Sequence, residues 1–498
     1  MGYVLALDEG TTSTRAVIFS EDGRTVASAG QEFEQIFPAA GRVEHDAGVI
    51  WRTSREVIGQ ALGTASLTSA DIAAVGITNQ RETTVVWEAA TGQPVHNAIV
   101  WQDTRGGEYV TQLSEYAEEI AEITGLPVNT YFSGIKLRWL FDHVDGLRER
   151  AAAGEVLFGT IDTWLLWNLT GEVNGGAHVT DVTNASRTLL MDLHTGQWSQ
   201  RMCELLDIPA ACLPEIRPSV GTFGTVASGQ LLAGVPIAGV LGDQQAAAFG
   251  QCRFSPGDTK NTYGTGCFLL TNTGEEIRRS ANGLVSTVAY QIEGQPLQYA
   301  LEGSIAVAGA LVQWLRDNLG LIRTADEVND LAREVSDNGD VYFVPAFSGL
   351  YAPHWRADAR GVLIGMTRFT SRGHIARAAL EATAFQTAEV LDVMRRDSGY
   401  TIDRIAADGG MCASDILMQF QADIAGCEVV RPQIIEATAA GAAYAAGLGA
   451  GVYGSLDELA GYWQAGASWQ PSITAADRQQ LLSRWSQAIE RSLGWVED

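Results

Sequence analysis

LALDEGTTSTRAVIF, residues 5–19, is the stretch whose reading decides the fold. Two apolar runs flank a polar turn, Asp8-Glu9-Gly10-Thr11-Thr12-Ser13-Thr14-Arg15. The runs are short and rich in Val, Ile, Leu and Ala, so they predict two buried strands joined by a hairpin. The turn EDGR (21–24) and the segment TVASAGQEF (25–33) extend the pair into a three-stranded meander that begins at YVLALD (3–8). A turn of Gly, Thr and Ser exposes backbone N–H groups and hydroxyls on one side, a concave set of donors that suits phosphate oxygens. Arg15 adds a charge that can reach such an anion, and Asp8, at the end of the first strand, is placed to serve Mg²⁺. The same composition makes ordinary hairpin turns, so this segment alone leaves both readings open.

Working outward, the same outline returns. AGVIWRTSREVIGQAL (47–62) carries apolar residues at helical spacing, IAAVGIT (72–78) reads as a buried strand, and TTVVWEA (83–89) as another. SEYAEEIAEIT and KLRWLFDHVDGLRERAAAG read as helices. GDTKNTYGTGCFLLTNTG (257–274) is again strand, Gly/Thr turn, strand. PIAGVLGDQQAAAFGQ (236–251) is strand, Gly-Asp turn and Ala-rich helix, and DRIAADGGMCASDILMQFQADIAG (403–426) repeats that order. Each half therefore supplies one Gly/Thr hairpin and one strand-to-helix acidic turn. This predicts an α/β chain of two duplicated lobes with a ligand cleft between them, divided near 245–257 into 1–250 and 251–498. The second hairpin, Tyr263-Gly264-Thr265-Gly266, is then placed to grip a polyphosphate from the side opposite the first.

Composition narrows the functions. The chain has 498 residues, 46% of them hydrophobic, and a formal charge of −26. That length implies more than one domain, and the acidity argues against nucleic-acid or anionic-membrane surfaces, which need a basic excess. A small anion must be held by a few placed donors. Only Lys136 and Lys260 are lysines; the other basic residues are arginines, a bias that points to a GC-rich genome, with salt adaptation the alternative. Six scattered cysteines without a C-x-x-C pair read as reduced thiols. The longest apolar stretch, LLAGVPIAGVLG (231–242), is too short to span a bilayer, so a cytoplasmic protein is expected. No G-x-x-x-x-G-K-[ST] loop exists, and Gly449-Ala450-Gly451-Val452-Tyr453-Gly454 follows an Ala-rich helical run rather than a strand, so it is expected to be a helix-end loop.

Asp243 sits where a strand gives way to a helix, as a catalytic carboxylate or a plain N-cap would. Arg81 and Glu82 follow a buried strand in GITNQRETT, and Trp101 follows NAIV. Each has a bland reading, as a solvated ion pair or a core aromatic. Together they share one position, the strand ends on one side of a sheet, where α/β folds bind ligands.

At these residues the chain resembles the FGGY family of carbohydrate kinases over nearly its whole length. The resemblance is carried by ALDEGTTSTR, FEQIFPAAGRVEHD, GITNQRETTVVWE, NAIVWQDTR, YFSGIKLRWLFDH, GTIDTWLLWNLTG, DVTNASRT, GDQQAAAFGQ, KNTYGTGCFLL, LEGSIAVAGALVQWLRD, PAFSGLYAPHW, RGVLIGMTR, ARAALEATAFQT and ADGG. GITNQRETT, VWQDTR and the tyrosine of YFSG resemble the branch that phosphorylates glycerol; ketose and gluconate kinases read differently there. The resemblance implies two actin-like (RNase H-like) lobes closing on ATP and substrate, and a homo-oligomer, dimer or tetramer. It implies that Arg81, Glu82, Tyr131, Asp243 and Gln244 bind the hydroxyls of glycerol, that Trp101 and Phe268 line its carbon edge, and that Asp243 is the catalytic base. By the same resemblance Asp8 serves Mg²⁺, Thr11, Thr12, Ser13, Arg15 and Thr265 hold phosphates, and Gly309, Gln313, Gly410 and Ser414 lie by the nucleoside.

The chain departs from the family pattern in three places. Glu9 stands where glutamine is usual, which is expected to add a negative charge beside the phosphate site. Ser414-Asp415 stands where asparagine is usual near adenine. The loop TVASGQLLAGVP (225–236) lacks both the Gly-Arg pair that binds fructose 1,6-bisphosphate and the phosphorylated histidine of some relatives, so neither control is expected. Two other functions stay open at this point: a family kinase for another polyol or a ketose, and an actin-like ATPase without sugar kinase activity.

Overall fold

The computed structural model describes residues 2–434 and 436–496. The first lobe is built on six strands: β1 (Tyr3–Glu9), β2 (Ser13–Phe19), β3 (Thr25–Glu32), β4 (Ile72–Asn79), β5 (Val220–Thr225) and β6 (Pro236–Gly242). They hydrogen-bond in the order β3-β2-β1-β4-β6-β5. The second lobe uses seven: β7 (Thr259–Tyr263), β8 (Cys267–Gly274), β9 (Val285–Tyr290), β10 (Gln298–Ile305), β11 (Arg404–Asp408), β12 (Glu428–Pro432) and β13 (Ala465–Trp469), in the order β9-β10-β8-β7-β11-β12-β13. Apart from the extra edge strand β9, and the closing edge strand that precedes its neighbour in the first lobe (β5 before β6) and follows it in the second (β13 after β12), the two orders are the same, and so are the directions. Each hairpin (β1–β2, β7–β8) is antiparallel, the next two strands run parallel to its first strand, and an antiparallel strand closes the edge.

The predicted meander is present as β1, β2 and β3, with Asp8 opposite Arg15 across the hairpin. The 47–62 pattern forms a helix, α1 (Ala47–Ala65), opened by Asp46, whose side chain accepts from the N–H groups of Gly48 and Val49. TTVVWEA supplies the expected strand, shorter than the pattern. Only Val85–Glu88 are extended, and they pair with Val156–Gly159 in a small sheet of their own. KLRWLFDHVDGLRERAAAG breaks into α2 (Ser133–His143) and a short helix at Leu147–Ala152, because Val144 turns extended and Gly146 takes a left-handed φ of 69°.

Four further helices matter for the site: α3 (Asp243–Gly250), α4 (Gly309–Asp317), α5 (Arg372–Ser398) and α6 (Asp415–Ala425). A fifth, α7 (Ala437–Gly449), is nearly all Ala and Gly and comes from the second half of the sequence. It lies on the sheet of the first lobe: a Cβ on Gly76 of β4 would stand 2.0 Å from the carbonyl oxygen of Ala442. One buried cluster accordingly joins Val4, Ala6, Val17 and Phe19 to Ala439, Ala442, Ala443 and Tyr444. Gly449–Gly454 leaves the end of α7 as a loop and does not follow a strand. Among the described residues no helix is long and apolar enough to cross a membrane, and all six cysteines are buried and free.

The backbones also approach closely where α7 crosses α3, the helix that begins at Asp243. A Cβ on Gly441 would meet the Ala246 carbonyl oxygen at 1.8 Å, so any side chain there must drive the helices apart. Gly441→Ala is expected to lower unfolding stability by about 1–3 kcal/mol, the range for overpacking, read as a lower midpoint in urea. An unchanged midpoint would show that the two helices part without cost.

Candidate active site

Three adjacent parallel strands, β1, β4 and β6, end at the same edge of the first sheet. Their ends carry Asp8, the segment Asn79-Gln80-Arg81, and Gly242-Asp243. The first hairpin closes tightly, with Gly10 N donating to the Ser13 carbonyl at 2.9 Å, while Thr11, Thr12 and Ser13 stay accessible. Gln80 anchors the hairpin by donating to the Gly10 carbonyl at 2.9 Å. Arg15 leans across it, 3.9 Å from Asp8 and 2.6 Å from Glu436. Burial raises the Asp8 carboxyl to about 6; Arg15 opposes this, and the carboxylates of Glu436 and Asp243 add to it.

Glu9 corrects the expectation of a charge beside the phosphate turn. Successive strand residues point to opposite faces, so Glu9 turns away from Asp8 into the core, where it has no exposed surface. Thr14 Oγ1 donates to its Oε2 at 2.6 Å. Burial raises its pKa well above the ordinary value and so favours the neutral form.

After β4 the chain makes a three-residue turn, with Thr83 N donating to the Arg81 carbonyl at 2.7 Å and Glu82 at a φ of 61°. A non-glycine residue in that region carries strain, which gathers at functional sites. The turn swings Arg81 and Glu82 inward, both almost fully buried. Arg81 donates to Glu302 of β10 through Nη1 at 2.6 Å and Nη2 at 3.0 Å, to Gln245 at 3.2 Å, and stands 3.1 Å from Asp243 through Nε. Arg187 donates to Glu82 at 2.7 Å and to Glu302 at 3.1 Å. Burial alone would raise the Glu302 carboxyl, but Arg187 and Arg81 hold it at about 2. Asp243 opens α3 and, at 32% exposed, is the one member of this network open to the cleft.

Trp101 and Tyr131 meet edge to face at 5.4 Å, and Trp101 Nε1 donates to Thr11 Oγ1 at 3.0 Å, joining the aromatic wall to the first hairpin. Lys136 of α2 donates to the carbonyls of Thr130 and Tyr131, fixing the turn that presents Tyr131. Lys260 donates to Gln244, to Thr262 Oγ1 at 2.9 Å and to the Phe268 carbonyl at 3.1 Å, so it ties Gln244 and Phe268 together. Burial lowers Lys136 to about 7 and Lys260 to about 8. Both lysines of the chain thus lie under this pocket.

On the second lobe, the tip of the β7–β8 hairpin caps α4: Gly309 N donates to the Gly264 carbonyl at 3.0 Å, and Ala308 and Ala310 N to the Thr265 carbonyl at 2.9 and 3.0 Å. Gly309 and Met411 are close enough that a Cβ on the glycine would lie 3.4 Å from Met411 Sδ. Gly409 takes a φ of 87° and its Cβ would stand 2.5 Å from the Tyr263 carbonyl, so β11 ends in a turn only glycine fits. Thr265, Gln313 and Gly410 are exposed. Ser414 is buried and N-caps α6, accepting from Leu417 N, while its hydroxyl donates to Asn329.

The chain belongs to the FGGY family of carbohydrate kinases: the family's N-terminal domain matches residues 3–250 and its C-terminal domain residues 259–450. Its architecture is the two-lobed actin-like (RNase H-like) fold of that family. It is 58% identical to the glycerol kinase of Renibacterium salmoninarum over 498 residues, 100% of this chain and 99% of that protein. It is 57% identical to the glycerol kinase of Brucella anthropi over 497 residues, 99% of each. The solved structure of Plasmodium falciparum glycerol kinase with ADP superposes with a TM-score of 0.93 at 39% identity, covering 100% of this chain and 99% of that one. A ligand-bound xylulose kinase from Lactobacillus acidophilus shares the fold, with a TM-score of 0.88 at 22% identity over 99% and 98% of the two chains.

Sequence reasoning did not single out Arg187, Glu302 or Lys260. The signal available was a lone glutamate inside the apolar run YALEGSIAVAGA (299–310) and a lysine inside a buried strand, each of which needs a buried partner. For Glu9, a folded pKa above the unfolded 4.5 means its contribution to stability is present below pH 4.5 and is lost as pH rises. Glu9→Gln is therefore expected to be more stable than wild type at neutral and alkaline pH, with the gap closing toward pH 4.5. Urea titrations across pH read this, and a pH-independent gap would count against a neutral Glu9.

Proposed function

We infer that the chain transfers the γ-phosphoryl group of ATP to glycerol, giving sn-glycerol 3-phosphate. The observation that carries this reading is the buried Arg81–Glu82 turn beside Asp243, faced by Trp101 and Tyr131 and set between two Gly/Thr hairpins. A three-carbon polyol has a hydroxyl face and a CH face, and this pocket offers charged donors and acceptors on one side and aromatic rings on the other. Sites that pair a substrate hydroxyl reject analogues lacking it far better than apolar pockets do. The high identity to glycerol kinases over the whole chain supports the same substrate.

In this reading Arg81, Glu82, Tyr131, Asp243 and Gln244 bind the hydroxyls, and Trp101 and Phe268 pack on the carbons. Thr11, Thr12, Ser13, Arg15 and Thr265 hold phosphates, and Gly309, Gln313, Gly410 and Ser414 flank the nucleoside. The residues present fit Mg²⁺. Asp8, Asp243 and Glu436 crowd one cleft with negative charge, and a magnesium ion asks for only one or two carboxylates beside phosphate oxygens. Asp8 would hold it, and its charge would stabilise that of the phosphates.

Asp243 accepts the proton of the attacking hydroxyl as the new oxygen–phosphorus bond forms and the bond to the departing ADP breaks. The transition state is loose, so the residues chiefly align the hydroxyl and stabilise spread charge. Arg81 Nε, 3.1 Å from Asp243, keeps that carboxylate facing the pocket. Closure of the lobes keeps water from competing for ATP. An actin-like ATPase has no use for this polyol pocket, and the pocket favours the kinase. A cytoplasmic homo-oligomer, dimer or tetramer, belongs to the same reading. Its support is the family and the exposed apolar side chains Trp355, Met366 and Phe369 on the second lobe.

Glycerol-dependent ADP release with Mg-ATP, run beside xylulose, erythritol and dihydroxyacetone, tests the substrate; equal kcat/KM for xylulose would overturn the assignment. Asp243→Asn is expected to fold and bind glycerol but lose turnover by roughly 10²-fold or more, the usual size of a general-base loss. Near-normal turnover would remove Asp243 from the mechanism. With Asp8 at about 6, protonation neutralises it as pH falls, so kcat/KM for Mg-ATP is expected to drop below about pH 6. A flat profile down to pH 5 would free Asp8 of that role.

A further inference from the structure

We propose that Glu302 is the positioning residue of the polyol pocket: from the second lobe it fixes Arg81 directly and Glu82 through Arg187. This inference rests on the polyol kinase reading above and assigns the pocket's geometry to a residue that touches no substrate.

Arg81 has three carboxylates within reach: Glu302, Asp243 and, 3.9 Å from its Nε, Glu82. Its two terminal nitrogens are spent on Glu302, at 2.6 and 3.0 Å, and only Nε faces Asp243, at 3.1 Å. A guanidinium prefers a two-pronged pairing with one carboxylate. Without Glu302, Asp243 is the nearest carboxylate for that pairing, and its capture would close the space into which the hydroxyl must enter. Glu302 therefore leaves the base available as well as holding the donor.

The second arm runs through Arg187, which shares Glu302 Oε1 with Arg81 and donates to Glu82 at 2.7 Å. Arg187 Nη1 has no oxygen partner, but the guanidinium lies 5.8 Å from the Tyr131 ring centre and 5.4 Å from that of Phe132, within cation–π range. One carboxylate thus governs Arg81, Glu82 and the setting of Tyr131. The same strand orders a fourth wall, because Ser304, two residues on, pairs with Phe268. As a source of stability such a network is poor, since apolar replacements of buried ion groups are often neutral or better. Its geometric effect is specific: donors from one lobe are aimed by an acceptor from the other.

The test is steady-state kinetics on E302Q and E302D, with circular dichroism and thermal melts as folding controls. E302Q keeps the shape but sets an amide against two guanidinium groups. The KM for glycerol is expected to rise about 10–100-fold, the cost of one charge-assisted hydrogen bond. The KM for ATP is expected to stay within about twofold, because no nucleotide contact runs through Glu302. E302D retains the charge on a shorter stem and is expected to lie between E302Q and wild type; it also serves if E302Q does not fold. A lower melting temperature with an unchanged glycerol KM in the folded variant would mean a structural role only and would overturn the proposal. Wild-type protein in the same assay separates the two claims. No glycerol-dependent ADP release there overturns the functional reading and this inference with it, whereas normal wild-type turnover with an unchanged glycerol KM in the variants overturns this inference alone.

Discussion

Five charged groups meet in the floor of the cleft: Asp243, Arg81, Glu302, Arg187 and Glu82. Four of them are almost wholly removed from water, which is tolerable only if each finds its counter-charge. Arg81, Glu82 and Arg187 come from the first lobe and Glu302 from the second, so the pairing exists only when the lobes sit in one register. A sheet shifted by one residue would turn Glu302 to the opposite face and leave two buried guanidinium groups without their partner. The rest of the cleft is arranged around this constraint.

The duplicated sheets explain why the useful residues converge. Each lobe ends its three central strands at one edge, and each puts a Gly/Thr hairpin beside it. In the first lobe those ends carry Asp8, Arg81 and Asp243; in the second they carry Thr265 and the Gly409-Gly410 turn. The seam is reinforced by α7, whose Ala and Gly residues let its backbone lie directly on β4 and α3. That packing holds the helix that begins at Asp243, so the position of this carboxylate depends on a segment about two hundred residues later in the chain.

Much of this was legible in the sequence because it is local. The hairpins, the strand-to-helix turn at Asp243 and the Gly-rich turn after β11 announce themselves by alternation and turn chemistry. The resemblance of GITNQRETT and VWQDTR to glycerol-phosphorylating kinases pointed to Arg81, Glu82 and Trp101. What was not legible is also instructive. TTVVWEA forms its strand at Val85–Glu88, in a side sheet whose partner strand at 156–159 could not be inferred from pattern. Glu9 stands where the family usually has glutamine, inside the Gly/Thr turn segment, which made it look like a charge beside the phosphate site. The two-residue period of the strand puts it on the other face, in the core, where burial favours its neutral form.

The sequence by itself determined the elements, their duplication and the residue types at the strand ends, because turns and alternation are set by neighbours a few positions apart. Only the tertiary structure decided which of those residues act together. Glu302 lies 221 positions from Arg81 and 115 from Arg187, and nothing in its strand says which cations it will meet. Lys136 and Lys260, which composition alone made look like remnants of a lysine-poor chain, prove to be buried supports of Tyr131 and Gln244. The physical reason is the same in each case: a buried charge is defined by its partner, and long-range packing chooses the partner.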